Sequence, residues 1–341
     1  MKILLISPKM KNPNGGIAVW TGYYEKACPR FGADCDIVNT EKKSGKQGFF
    51  KERQRAIGIL RSVKNYCKNN EYDLAHLNSN IGVFGVIRDY FVAKRIAKKK
   101  IPVVVHFHCD VPFWVTNFVV KHYLKKLLKI SSEVLVLCES SKKFLKQTFG
   151  VESIKVPNFI DENVVFLDKV INDELKNIVF VGRVSLDKGA KELYELAKRF
   201  PSMQFNFIGE PEEVVLEWHK PNNCCFLGRK THDEVIRILD ESDLFLFPTH
   251  TEGFSMALAE SMARGLPCVT TDVGANLDMI ENEGGVVVEK GDVDAMEEGI
   301  KELLSPEKRQ KASKWCVDKV TNNYTAEKVM KLLFEQYKSL L

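Results

Sequence analysis

The chain has 341 residues, 45% of them hydrophobic, which is typical of a globular protein, and the usual ~100 to 200 residues per domain predicts two domains. Residues 1–165 carry 28 Lys and Arg against 14 Asp and Glu, whereas residues 166–341 carry 22 against 31, so the first half predicts an anionic partner: a membrane surface, a nucleic acid or an acidic substrate. Nine cysteines without a C-x-x-C motif exclude a disulfide-stapled scaffold and a metal knuckle, and indicate a reducing cytosol.

The first half alternates short apolar runs with amphipathic helical stretches. Its predicted strands are K-I-L-L-I-S from residue 2, D-L-A-H-L-N from 73, P-V-V-V-H-F-H from 102 and E-V-L-V-L-C from 133. Strands that alternate with helices form a parallel sheet covered on both faces. The first run is too short for a signal peptide and no later run approaches ~18 apolar residues, so we expect no membrane crossing.

The same pattern restarts in the second half. Its predicted strands are N-I-V-F-V-G-R from 177, Q-F-N-F-I-G-E from 204, C-C-F-L-G-R from 224, D-L-F-L-F-P-T from 243 and P-C-V-T-T-D from 267. A proline and polar residues interrupt the periodicity near 156–163, so we predict domains at 1–165 and 166–324. Residues 325–341 have helical apolar spacing and predict a terminal helix that packs back on the first domain. The fold class is α/β, with two doubly wound parallel sheets.

Two glycine-containing strand ends predict phosphate contacts. Gly15 and Gly16 follow the first strand and precede a helix, so backbone N–H groups there could face a ligand; a purely structural Gly-Gly turn explains them equally well. Gly182 and Arg183 end the strand V-F-V-G-R, and Lys188 opens the next helix. The guanidinium fork, the ammonium group and the helix dipole together suit a diphosphate; the alternative is a pair of solvated surface cations.

The stretch T-H-T-E-G-F-S-M-A-L-A-E places two carboxylates around the start of a helix. Glu252 lies in the loop after a buried strand, in the same crevice as Arg183, and Glu260 lies two turns inside the helix. The helix is predicted to begin near Phe254 or Ser255, and the N–H groups of Phe254, Ser255 and Met256 suit an anion. Carboxylates beside an anion site are better occupied by hydroxyls, and a nucleotide sugar offers two sets, on the sugar and on the ribose. An ordinary helix-surface acid is the alternative for Glu260.

These motifs together resemble the retaining glycosyltransferase family 4, which has the GT-B fold of two Rossmann-like domains with a cleft between them. The resemblance extends over nearly the whole chain and rests on E-G-F-S-M-A-L-A-E, G-R-V-S-L-D-K-G, V-P-N-F-I-D, H-F-H-C-D and N-G-G. It departs from the family after G-L-P, where the chain has Ala275 and Asp278 in place of G-G-x-x-E, and at I-G-E-P, which puts Glu210 at a position that is usually glycine-rich.

The resemblance implies a role for each matched residue. Arg183 and Lys188 would hold the donor diphosphate, Glu252 the transferred sugar and Glu260 the ribose, while His108 would face the donor sugar across the cleft. His106 and His108 share a strand face, and a packing role is the alternative for a strand histidine. The implied donor-binding set comprises Gly15, Gly16, Gly182, Arg183, Lys188, Glu210, Arg229, Lys230, Phe254, Ser255, Met256 and Glu260.

The reaction implied is transfer with retention of anomeric configuration from a UDP-sugar, or a GDP-sugar, to a hydroxyl of a glycan or lipid-linked acceptor in bacterial surface polysaccharide or glycolipid synthesis. No Asp-x-Asp pair follows a strand, and the Arg183 and Lys188 cations can stabilise the leaving diphosphate. We therefore expect a metal-independent enzyme that requires no cofactor.

A basic stretch over residues 112–130 carries aromatic side chains and lysines at helical spacing. Such a helix suits an anionic bilayer surface, and a core-facing helix with a solvated lysine face is the alternative. We predict a cytoplasmic protein held peripherally at the inner face of the plasma membrane. The predicted contact residues are Trp114, Phe118, Lys121, Lys125, Lys126 and Lys129.

Three other functions compete with this interpretation. A sugar-nucleotide hydrolase or epimerase of the same fold would turn over the donor without an acceptor. A nucleic-acid-binding protein could use the basic half, but the chain lacks stacking aromatics on strands and a known reader motif, so we expect no nucleic acid partner. A nicotinamide dehydrogenase is the weakest of the three alternatives, because the dinucleotide glycine fingerprint and its following acid are missing.

Overall fold

A computed structural model describes residues 1–9, 16–42, 48–79 and 81–341 of the chain. These residues form two compact units, of which unit 1 comprises 1–158 with 327–341 and unit 2 comprises 159–326. Unit 1 therefore ends before the predicted boundary at residue 165, and the terminal segment belongs to it.

Unit 1 contains six strands and the helices that connect them. The strands are β1 (Lys2–Ser7), β2 (Asp34–Asn39), β3 (Leu74–Ser79), β4 (Val103–Phe107), β5 (Glu133–Val136) and β6 (Ile154–Lys155). The helices are α1 (Gly16–Ala27), α2 (Phe49–Asn69), α3 (Val83–Ala97), α4 (Val111–Trp114), α5 (Phe118–Ile130) and α6 (Glu139–Phe149), together with the terminal helix Ala326–Ser339 and a 3-10 turn at Cys28–Phe31.

The sheet of unit 1 is parallel, with strand order β2-β1-β3-β4-β5-β6. Strands β1, β3 and β4 are buried along nearly their whole length, because helices cover both faces, and this explains their continuous apolar runs. The order reverses between β1 and β3, which is where open α/β sheets bind ligands.

Unit 2 repeats the architecture with six strands. They are β7 (Asn177–Val181), β8 (Gln204–Ile208), β9 (Cys224–Gly228), β10 (Leu244–Phe247), β11 (Cys268–Thr271) and β12 (Gly285–Val288). The helices are α7 (Ala190–Arg199), α8 (Glu213–Leu216), α9 (His232–Asp240), α10 (Met256–Ala263), α11 (Asn276–Ile280), α12 (Val293–Glu302) and α13 (Pro306–Asn323), followed in the chain by the terminal helix, α14. The 3-10 turns Glu162–Val164 and Leu186–Lys188 complete the unit.

The sheet of unit 2 is also parallel, in the order β12-β11-β10-β7-β8-β9. The order reverses between β7 and β10, so the loops after these two strands meet at the topological switch point. The predicted Arg183 and Lys188 follow β7, and the predicted Glu252 follows β10. The prediction of two doubly wound parallel sheets is confirmed.

All nine predicted strands are present, and three further strands were missed. These are β2, β6 and β12, which form three of the four sheet edges. Edge strands bury less surface, so β2 and β12 show mixed or intermediate burial, and β6 is only two residues long. Their apolar pattern is therefore weaker than that of the central strands.

Candidate active site

The loops after β7 and β10 are held together by backbone contacts that require glycine. A Cβ atom on Gly189, which has φ 81°, would lie 2.1 Å from the carbonyl oxygen of Pro248. A Cβ on Gly274, with φ 60°, would lie 2.3 Å from the carbonyl oxygen of Glu252. The His250 N–H also donates to the carbonyl oxygen of Asp187 at 2.9 Å. The loop that carries Glu252 is thus fixed from both sides.

Lys188 and Glu252 form an ion pair at this switch point. The Nζ of Lys188 lies 2.7 Å from Oε1 of Glu252 and donates to the carbonyl oxygen of Thr251 at 2.8 Å. The two side chains are only 17% and 18% exposed, so water screens the pair less than it would a surface pair. The sequence separates these residues by 64 positions, and the fold brings them together.

Arg183 lies beyond the end of β7 and is largely solvent-exposed. Its Nη2 lies 3.3 Å from Asp187 and its Nη1 lies 3.8 Å from Glu212. Among the described residues, Arg183 forms ion pairs with these two acids, whereas Glu252 pairs with Lys188. The exposed guanidinium is accessible to a ligand, and Glu212 is a neighbour that sequence reasoning missed.

Helix α10 begins one residue later than the predicted range. Ser255 is its N-cap, and the serine Oγ accepts the N–H of Leu258 at 3.2 Å. The Phe254 side chain is buried and packs edge-on against Tyr324, with ring centroids 5.3 Å apart. The side chains of Phe254 and Ser255 are thus engaged within unit 2, and the backbone N–H groups of the helix amino terminus are the ligand contacts that the sequence predicts here.

Glu260 lies near His232, a residue that sequence reasoning missed. Oε1 of Glu260 is 3.8 Å from Nδ1 of His232, and the carboxylate is 19% exposed. Burial raises the pKa of Glu260 above its ordinary value, although the nearby His232 opposes the shift. The signal for His232 was its position in the first turn of α9, directly after the N-cap Thr231.

The other predicted donor contacts lie at strand ends of unit 2. The carbonyl oxygen of Glu210 accepts the N–H of Val184 at 3.0 Å, and the Glu210 side chain is exposed. Arg229 is exposed, and Lys230 lies 3.6 Å from Glu234. Gly182 has φ 152° and its N–H donates to the carbonyl oxygen of Ile208.

The predicted glycine loop of unit 1 is described only in part. Gly16 is the first residue of α1, and a Cβ there would meet nothing within 4 Å, so crowding does not require glycine at this position. Gly15 lies outside the described residues.

His108 lies one residue beyond β4 and both its ring nitrogens have partners in unit 1. Its Nε2 is 2.9 Å from Oδ1 of Asn78, and its Nδ1 is 2.9 Å from Oδ1 of Asn158. The His106 ring lies 4.0 Å away, which confirms that the two histidines share a strand face. Both asparagines were missed, although Asn158 belongs to the V-P-N-F-I-D motif.

The hydrogen bonds around Asn78 have one consistent direction. Thr21 donates to the carbonyl oxygen of Ile17, so Ser7 donates to Thr21 and accepts the amide nitrogen of Asn78. The amide oxygen of Asn78 then accepts Nε2–H from both His76 and His108.

The bond from His108 to Asn78 places the ring hydrogen on Nε2, while Nδ1 faces Oδ1 of Asn158 at 2.9 Å. Burial lowers the pKa of His108 to about 4 and that of His76 to about 3, so both are neutral at pH 7. Tyr337, on the terminal helix, donates to Nδ1 of His76 at 2.6 Å. This arrangement suits a fixed hydrogen-bonding group better than a proton acceptor.

The basic stretch at 112–130 forms two helices, α4 and α5, rather than one. Val120, Leu124, Leu127 and Leu128 of α5 are buried in the core, whereas Lys121, Lys125, Lys126 and Lys129 face solvent. Trp114 and Phe118 are 47% and 83% exposed near its amino terminus. The apolar stripe of α5 is thus used for packing, and only the lysines and the terminal aromatics remain at the surface.

Two family models match adjoining parts of the chain. The model for glycosyl transferases group 1 matches residues 164–315, and the model for Glycosyltransferase Family 4 matches residues 17–164. The chain belongs to the group 1 glycosyltransferases.

Curated relatives of this glycosyltransferase act on sugars. This chain is 30% identical over 188 residues to a capsular polysaccharide biosynthesis glycosyltransferase of Staphylococcus aureus, and the matched region covers 51% of this chain and 48% of that protein. It is 24% identical over 313 residues to an Escherichia coli UDP-Gal:alpha-D-GlcNAc-diphosphoundecaprenol alpha-1,3-galactosyltransferase, covering 80% and 79% of the two chains.

Solved structures show that this glycosyltransferase has the GT-B fold. Sucrose-phosphate synthase from Thermosynechococcus elongatus superposes with a TM-score of 0.83 at 16% identity, covering 99% of this chain and 98% of that one. Anabaena HepE, solved with UDP and glucose, superposes with a TM-score of 0.74 at 14% identity, covering 99% and 100%.

Proposed function

We propose that this enzyme transfers a sugar, with retention and without a metal, from a UDP-sugar, with a GDP-sugar as the second choice, to a hydroxyl of a glycan or lipid-linked acceptor. The observation that carries the proposal is the half-buried Lys188–Glu252 pair at the switch point of unit 2, together with the exposed Arg183 that follows β7. The preference for uracil is supported by the UDP in the Anabaena structure and the UDP-galactose in the name of the Escherichia coli relative.

The leaving diphosphate would be stabilised by Lys188, Arg183 and the first turn of α10. Lys188 is already oriented by two hydrogen bonds, so little reorganisation is needed when negative charge develops. Arg183 can leave its exposed partners at small cost, because surface ion pairs contribute only ~0 to 1 kcal/mol. These two cations supply the charge that a metal would otherwise supply.

Glu252 and Glu260 would hold the two ends of the donor. Glu252 keeps one carboxylate oxygen for the hydroxyls of the transferred sugar, since Lys188 occupies Oε1. Glu260 has a pKa raised by burial, and ribose hydroxyls would satisfy the carboxylate in place of the more distant His232. The backbone N–H groups of Phe254, Ser255 and Met256, and the exposed Glu210, Arg229 and Lys230, complete the proposed donor contacts.

The proposed acceptor-side role of unit 1 rests on His108 and on the basic helix α5. His108 would contribute as a neutral group of fixed orientation, because Asn78 and Asn158 lie at its two ring nitrogens. The exposed lysines of α5, with Trp114 and Phe118, support peripheral attachment to an anionic membrane. None of the described helices is both long enough and apolar enough to traverse a bilayer.

The donor test is a thermal-shift screen of UDP, GDP, ADP and their common sugars in EDTA. We expect selective stabilisation by UDP or GDP and its loss in Arg183→Ala, with Arg199→Ala, on the same unit, as the matched control. Nuclear magnetic resonance then follows the sugar. Transfer to an acceptor with the donor's anomeric configuration supports the proposal, inversion overturns retention, and turnover that yields only free sugar indicates a hydrolase.

The membrane test is flotation with vesicles that contain anionic lipid. Wild-type protein should float, and Lys121→Gln/Lys125→Gln/Lys129→Gln should float less, whereas a triple change of Lys290, Lys311 and Lys314 in unit 2 to Gln should have no effect. Wild-type protein that stays unbound would contradict the attachment.

A further inference from the structure

Unit 1 contains a second strand-end site, and none of the predicted residues that the structure describes lines it. A cavity of about 320 Å³ lies at the carboxyl ends of β1, β2 and β3, next to the point where the strand order reverses. Pro8 and Thr40 line it from the strand ends, and the amino-terminal turn of α3 lines it through Gly82 and Gly85. Its volume is that of a small-molecule site.

Three cations line this cavity: Lys42, Arg55 and Arg88. Glu52 is 7% exposed and lies 2.9 Å from Lys42 and 2.8 Å from Arg55. Burial raises the pKa of Glu52, but the hydrogen bonds from Lys42 and Arg55 outweigh burial and leave the pKa below its ordinary value. Glu52 therefore stays ionised at neutral pH and holds the two cations at the wall.

Arg88 is the most informative of the three. It is 7% exposed, and its Nε donates to Asp89 at 2.7 Å. Among the residues that the structure describes, the Arg88 guanidinium makes this one hydrogen bond, through Nε. Its two Nη groups can therefore bind a ligand in the cavity, which Arg88 lines. Neither Nη group is among the described buried side-chain atoms that lack a partner, so solvent in the cavity reaches them and the oxygens of an anionic ligand can replace that solvent.

The amino terminus of α3 adds further donors on the same side. Helix α3 runs for 15 residues, and its N-cap, Gly82, has no side chain that could satisfy the first-turn N–H groups. Three cations against Glu52 and Asp89 leave one net positive charge, and the helix dipole adds to it. The cavity thus suits a ligand with one or two negative charges and several acceptor oxygens.

An aromatic surface adjoins the cavity. Phe84, which lines the cavity, is 48% exposed, and its ring lies 5.6 Å from that of Phe49. Phe49 in turn contacts Phe50 at 5.9 Å, and these two rings are 60% and 76% exposed. Three neighbouring exposed phenylalanines form an apolar surface that is unusual outside a binding site.

We propose that this cavity binds the phosphate or diphosphate group of an acceptor carried on an apolar chain, with the chain lying on Phe49, Phe50 and Phe84. The proposal rests on the proposed transferase function, since it assigns the acceptor class. Arg88 and the first turn of α3 bind the phosphate oxygens, Lys42 and Arg55 neutralise the remaining charge, and the three rings cover the first carbons of the chain.

The test measures equilibrium binding of farnesyl diphosphate, below its micellar concentration, to protein saturated with UDP in EDTA so that the diphosphate site of unit 2 is filled. Farnesol and inorganic diphosphate are measured in parallel. We expect farnesyl diphosphate to bind at least ~10-fold more tightly than either, because the charged and apolar contacts add. Equal binding of farnesol would show that the cations are not used, and equal binding of diphosphate would show a free phosphate site without a chain; either result overturns the proposal.

Arg88→Gln should weaken farnesyl diphosphate binding by about 10- to 100-fold, the value of a hydrogen bond to a charged group. Arg95→Gln, on the same helix outside the cavity, is the matched control and should leave binding unchanged. Because Arg88→Gln also leaves Asp89 without its partner, Lys42→Gln and Phe84→Ser are measured as well. Lys42→Gln should weaken farnesyl diphosphate and diphosphate together, and Phe84→Ser should weaken farnesyl diphosphate alone.

Unchanged binding in folded Lys42→Gln and Phe84→Ser proteins would contradict the proposal. Failure of the transferase function itself has a separate signature, because the magnetic resonance assay would then show no donor turnover or only free sugar, whatever farnesyl diphosphate does.

Discussion

The strand-end site of unit 2 is charged, whereas the histidine site of unit 1 is neutral. At the β7/β10 switch point a lysine and a glutamate face each other 2.7 Å apart with little solvent exposure. At the end of β4, His108 is held between two asparagine side chains with a pKa lowered to about 4 by burial. A charged site can stabilise a leaving group, and a neutral, fully bonded imidazole can only position one. The proposed function therefore predicts electrostatic stabilisation in unit 2 and positioning in unit 1.

The largest expected effect comes from removing the charge in unit 2. Lys188→Ala should lower kcat by about 10²- to 10³-fold, as the loss of one oriented donor does in other active sites. Steady-state transfer assays measure the change, with Lys191→Ala, on the exposed face of α7, as the control. A loss below about threefold would remove Lys188 from the leaving-group role.

Glu252→Gln is the next test, since it keeps the shape of the side chain but removes its charge. Lys188 then loses its partner and the sugar loses one strong acceptor, so kcat/KM should fall by about 10- to 100-fold. Glu298→Gln, an exposed acid of the same unit, should have no effect. An unchanged kcat would show that Glu252 does not contact the sugar.

The neutral site of unit 1 predicts a pH-dependent stability. Burial lowers the pKa of His108 to about 4, below the ~6.5 of an unfolded histidine. Below pH ~6.5 this histidine is protonated in the unfolded chain but stays neutral in the native state. The free energy of unfolding therefore falls as the pH drops towards 4. Between pH 7 and pH 5 the loss is about 2 kcal/mol for this histidine, and His76, with a pKa of about 3, adds a similar amount.

The measurement is urea unfolding of unit 1, followed by the fluorescence of the buried Trp20 with Trp114, Trp218 and Trp315 replaced by Phe. Trp20 stacks on His76 with ring centroids 5.3 Å apart and therefore reports this region. His108→Gln should reduce the loss between pH 7 and pH 5 by about 2 kcal/mol. The same loss in the variant as in the parent would mean that His108 is not buried in its neutral form.

Tyr337→Phe should have the smallest effect. It removes the hydroxyl that donates to His76 at the far end of the network from His108, and costs about 1 kcal/mol of unfolding free energy. Activity should change by less than about threefold, and Tyr66→Phe on α2 is the control. A large loss of kcat without a loss of stability would indicate that the network controls His108 more strongly than the comparison allows.

Periodicity and motif spacing predicted the central architecture because the interior strands are buried on both faces and read as continuous apolar runs. The same periodicity also predicted that Arg183, Lys188 and Glu252 lie at strand ends. The Lys188–Glu252 pair did not, because 64 residues separate the partners and only the strand order brings them together. Asn78, Asn158 and His232 were missed for a similar reason, since a lone amide or imidazole in a sequence carries no sign of its partner.

The cavity below Arg88 also has no sequence motif. Its cations come from a loop and from two helices, and each of them alone resembles an ordinary surface charge. The basic stretch at 112–130 was interpreted as a single amphipathic helix, and the structure divides it because Asn117 caps α5 through its side chain. Capping accounts for the division, and core burial of the α5 leucines accounts for most of its apolar pattern.

The most direct test of the central claim is a calorimetric titration of UDP in EDTA with wild-type protein and with Lys188→Ala. The account predicts binding without metal and a dissociation constant about 10- to 100-fold higher in the variant, because Lys188 contributes a charged hydrogen bond to the diphosphate. Equal dissociation constants in the two proteins, or binding that requires a divalent metal, would contradict it.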